Sequence, residues 1–63
     1  MTFEEAVELV SSWPKNRNVP SRLKAGIASA KGIDRVLMGN LVEALVVASE
    51  TEADLKLVQK YFD

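Results

Sequence analysis

Cysteine and histidine are both absent from the 63 residues. Without cysteine there is no disulfide staple, no thiolate nucleophile and no zinc site of the usual kinds. Without histidine there is no side chain whose ordinary pKa lies close to neutrality. Small secreted domains lean on disulfides, so a reducing, cytoplasmic setting is expected. Long hydrophobic runs are also missing. The most apolar stretch, Val36 to Ala48, is interrupted by Gly39, Asn40 and Glu43, far from the ~20 apolar residues of a membrane span. The opening MTFEE is acidic, with no basic region leading into an apolar one, and does not read as a signal peptide. No period-two alternation is long enough for a sheet, and no segment repeats.

What is present is ordinary globular material. An apolar fraction of 48% beside 27% charged residues lies outside the composition of disordered chains. The length suits one domain with little stability to spare. The net charge of −1 conceals a pattern: residues 1–13 carry −3, residues 14–35 carry +5 and residues 36–63 carry −3. A basic block thus lies between acidic ends.

The periodicity predicts an all-α fold, a bundle of three to four helices near residues 3–13, 21–31, 34–49 and 52–62. Thr2 and Glu5 have the spacing of a capping box, and Phe3, Ala6, Val7, Leu9, Val10 and Trp13 fall on one side of the wheel. Pro14 should stop this helix, since it lacks an amide proton and disfavours helical geometry in Trp13. Ser21 is expected to cap a second helix carrying Leu23, Ile27 and Ala30, with Gly32 as its terminator. Asp34 is expected to cap a third, whose broad apolar face holds Leu37, Met38, Leu41, Val42, Ala44, Leu45 and Ala48, with Val46 at the margin. Val36 and Val47 fall on the opposite side, beside Asn40 and Glu43. Thr51 followed by Asp54 marks a fourth helix start, lined by Leu55, Leu57, Val58, Tyr61 and Phe62. Whether Glu50 to Glu52 is a turn or only a kink within one long helix is open at this level.

No catalytic, metal-binding or cofactor-binding residue is expected. Ser21 and Lys24 match S-x-x-K, but without the companion motifs of acyl-transferring enzymes, so capping and solvated charge explain them. Glu4 and Glu8 stand one turn apart and supply too few oxygens for a hard cation. Gly26, Gly32 and Gly39 form no phosphate-cradling pattern.

Residues Ile27 to Leu41 resemble part of a helix-turn-helix. Ala28 precedes Gly32 by four, and Ile33, Met38 and Leu41 fall where that motif buries side chains. The resemblance covers about a quarter of the chain. It departs at Lys31, where an apolar residue is usual, and at Gly39, which weakens the helix meant to read bases. It implies nucleic-acid binding with phosphate contacts from the basic block; the pI near 5.3 argues for a different partner.

The leading expectation is a small interaction or regulatory module that binds a protein, of the kind common among phage and bacterial accessory factors. A structural subunit of a larger assembly is a third alternative. The segment WPKNRNVPSR joins the single tryptophan to three cations and two prolines, and tryptophan and arginine are enriched among residues that dominate binding energy. Trp13, Lys15, Arg17, Arg22 and Lys24 are therefore the expected partner contacts; the alternative is that Trp13, on the apolar side of its wheel, closes the core at the end of the first helix while the cations are solvated. Val36, Asn40 and Val47 form a second candidate surface for self-association into a homo-oligomer, with Asn40 able to pair with its symmetry mate.

Overall fold

The computed structural model describes all 63 residues and contains four helices, α1 (Phe3–Ser11), α2 (Val19–Ser29), α3 (Ile33–Ala48) and α4 (Glu52–Phe62). Both capping boxes are formed. Thr2 Oγ1 accepts from the Glu5 amide while the Glu5 carboxylate accepts from the Thr2 amide, and Thr51 and Asp54 repeat the arrangement at α4. Residues 34–62 are therefore two helices, broken at Ser49 to Thr51.

Four boundaries differ from expectation for local reasons. Helix α1 ends at Ser11, short of Trp13. The hydroxyls of Ser11 and Ser12 donate to the Glu8 and Leu9 carbonyls, and the Ser12 and Trp13 amides tighten onto Leu9 and Val10. Serine competes in this way for carbonyls that a continuing helix would use, and Pro14 offers no amide to prolong it. Helix α2 begins two residues early, because Pro20 in the first turn has its φ preset and gives up an amide that would have no partner there. Ser21 is consequently not the cap; it lies inside that turn and donates to the Asn18 carbonyl. At the other end α2 stops at Ser29. Gly32, with φ of 64°, makes the corner and occupies the cap position of α3. Asp34 is thus displaced from capping into the first turn, where its charge still suits the positive helix end.

Helices α2 and α3 form the central pair. Each packs against the other and against both α1 and α4, whereas α1 and α4 do not touch. The core is built from Ala6, Trp13, Val19, Leu23, Met38, Leu45 and Val58, with Phe3, Leu9, Val10, Ile27, Leu41, Val42, Leu57 and Phe62 packed around them. Val7, expected on the apolar side of α1, and Leu55 on α4 lie at the margins and stay substantially exposed. The Cα positions span 32 × 22 × 16 Å. The thin dimension corresponds to two layers of helices, whose axes pack about 8–10 Å apart, so α3 is covered on one side only.

Candidate interaction surfaces

The chemistry of the first candidate, Trp13 to Arg22, starts from the abrupt end of α1. The turn carries Trp13 back over the bundle, where it is 5% exposed. Its Nε1–H donates to the Leu45 carbonyl (3.1 Å) and lies 3.2 Å from Ser49 Oγ, so the indole closes the end of α3. The Arg17 guanidinium sits 4.8 Å from the centre of the indole ring, donates to the Pro14 carbonyl and pairs with the Asp54 carboxylate. Asp54 is buried, and its second oxygen accepts from the Glu50 (2.9 Å) and Thr51 (3.1 Å) amides. The Arg17 guanidinium, then the Glu50 amide, hold the Asp54 carboxyl down at about 2. The Thr2 amide and hydroxyl lower Glu5 in the same direction at α1.

This constellation fastens the α1–α2 turn to the α3–α4 turn. Of the five expected partner contacts, Trp13 is turned into the core and Arg17 into the ion pair. Lys15, Arg22 and Lys24 remain exposed and unpaired. They do not make one patch with the other cations: Lys15 lines the cleft beside Trp13 and Asp54, while Lys24 and Arg35 line a separate groove with Ile27, Gly39, Tyr61 and Phe62. The Ser21 hydroxyl is committed to the α2 turn.

The second candidate follows from the two-layer architecture. Met38 and Leu45 of α3 are fully buried, and Leu41, Val42 and Ala44 are partly covered. On the opposite face Ile33 is 74%, Val36 63% and Val47 81% exposed, with Asn40 and Glu43 between them and Leu37 at the edge. The exposure of Ile33 corrects the expectation that it packs inward. The helix-turn-helix pattern requires that residue inside, and the face that would meet bases carries apolar side chains around a single asparagine. Ile33 was missed as a surface residue because Gly32 resets the chain direction just before it. The wheel of α3 fixes angles within the helix and not which angle meets the bundle.

No family model matches the chain, and no curated protein or solved structure matches it.

Proposed function

We propose that the chain is a protein-interaction module that presents the outer face of α3 to a protein partner. The observation that carries this reading is the apolar strip of Ile33, Val36 and Val47, each more than 60% exposed along one side of one helix, with Asn40 and Glu43 between them. Single exposed valines are commonplace, but three large β-branched residues aligned over four turns form a patch of the sort that marks binding sites. Helical faces of this type dock onto partners through residues spaced by three, four and seven.

The strip also favours a protein over a duplex, since phosphate contacts dominate nucleic-acid affinity and Lys15 lies in a different cleft from Lys24 and Arg35. With Trp13 buried and Arg17 held by Asp54, Lys15, Arg22 and Lys24 serve as rim charges that steer association. The absence of cysteine suits work in the reducing cytoplasm.

The test places a photo-crosslinking amino acid at Val36 or Val47, and at Gln59 on the exposed side of α4 as a control, in the chain produced in its native cells. Adducts are expected from positions 36 and 47 and not from 59. No adduct from either α3 position, or the same bands from all three, would remove the reading.

A further inference from the structure

We infer that the occupant of the α3 face is a second copy of this chain, its own α3 lying antiparallel across a two-fold axis at Asn40. The inference rests on the reading of that face as the interaction surface and adds the partner and its orientation.

The arrangement of side chains about Asn40 carries the argument. Ile33 and Val47 stand seven residues before and after it, Val36 and Ala44 four before and after, and Leu37 and Glu43 three. An antiparallel pair centred on Asn40 therefore sets Ile33 against Val47 and Val36 against Ala44. Each contact occurs twice by symmetry, as an isologous interface demands. Asn40 faces its own copy, and a carboxamide holds both donors and acceptors, so the pair satisfies itself. A single polar residue of this kind within an apolar seam fixes register and oligomer state at some cost in stability.

Charge selects the antiparallel orientation. Lys31 precedes α3 and Glu50 follows it, and neither is in an ion pair within the chain. Reversing one helix against the other brings Lys31 towards the Glu50 of the second copy. A parallel pair would bring Lys31 towards Lys31 and Glu50 towards Glu50, and would align the helix dipoles unfavourably. The 16-residue helix offers a contact about 24 Å long. That is small beside interfaces of standard size, so the dimer is expected to be reversible, with a dissociation constant on the order of 10–100 µM.

Sedimentation equilibrium of the parent chain from about 5 to 500 µM, a range set by that expected affinity, should show a monomer–dimer equilibrium. A chain that remains monomeric at the upper limit overturns the inference. Orientation is read by disulfide trapping, which the cysteine-free sequence makes clean. Mixed Ile33→Cys and Val47→Cys chains in a glutathione buffer should form the 33–47 heterodimer in preference to either homodimer. Predominant 33–33 linkage would show a parallel pair and defeat the proposal, and Val7→Cys should stay unlinked. Lys31→Glu is expected to weaken association by roughly 2- to 10-fold, the scale of paired rim charges, and Lys31→Glu with Glu50→Lys to restore it. No restoration would argue against the antiparallel register. Self-pairing and the broader reading fail separately: a monomeric chain that still gives adducts with other proteins at Val36 and Val47 loses the dimer alone, and a monomer without adducts loses both.

Discussion

Asp54 shows how one side chain can hold two turns at once. It caps α4, accepts from the Glu50 and Thr51 amides and binds Arg17 from 37 residues away. Because its folded carboxyl ionises at about 2 rather than near the ordinary 3.8, unfolding between those values takes up a proton. Its contribution to stability is complete above the unfolded value and drains away as pH falls through the folded one; Glu5 acts with the same sign. Thermal melts should therefore show the midpoint falling from pH 4 towards pH 2. Asp54→Asn should melt lower at pH 7 and with a shallower acid slope, and an unchanged slope would place the acid sensitivity elsewhere. The capping role was legible at Thr51 and Asp54 as a local pattern. The Arg17 partnership was not, since no periodicity links positions so far apart. Among core leucines the structure separates two that the wheel treats alike: Leu45 is fully buried and Leu41 only partly. Leu45→Ala should cost about 2–5 kcal/mol and Leu41→Ala about half as much by denaturant titration. Equal costs would mean that the α3 rotation is wrong.

At the scale of the helices, glycine has two opposite roles. Gly32 turns the corner between α2 and α3 with φ of 64°, a region costly to residues bearing a Cβ. Gly39 lies within α3, and a Cβ added there meets nothing within 4 Å. Gly32→Ala is expected to destabilise by about 1 kcal/mol. Gly39→Ala is expected to stabilise by up to ~1 kcal/mol through helix propensity alone. Paired urea titrations check both, and a destabilising Gly39→Ala would show that the face of α3 near Arg35 is packed more closely than described. The helices themselves were readable from period and capping signals, because those act over three or four residues. Their ends at Trp13, Ser21 and Asp34 were not, since proline tolerance in a first turn and serine competition for carbonyls depend on which turn the chain takes next.

For the whole molecule, self-pairing through α3 makes stability depend on concentration, because whatever binds only the folded state raises its apparent stability. The melting temperature of the parent should rise between about 5 and 500 µM, spanning the expected dimer affinity. Val47→Glu, a change at a side chain 81% exposed, should leave the fold intact and its melting temperature flat across the same range. A parent without concentration dependence would count against the dimer. The sequence by itself determined that the chain is all-helical, where its capping boxes lie, that Leu45 and Met38 face inward and that Val36 and Val47 point away from them, because each of these is a matter of spacing along one helix. Only the tertiary structure decided that Arg17 is tied to Asp54, that Ile33 joins the outer strip, and that nothing in the chain covers that strip. The reason is geometric. Periodicity defines faces relative to one another, but four short helices stacked in two layers have surface for only some of them, and packing alone selects which face is left outside.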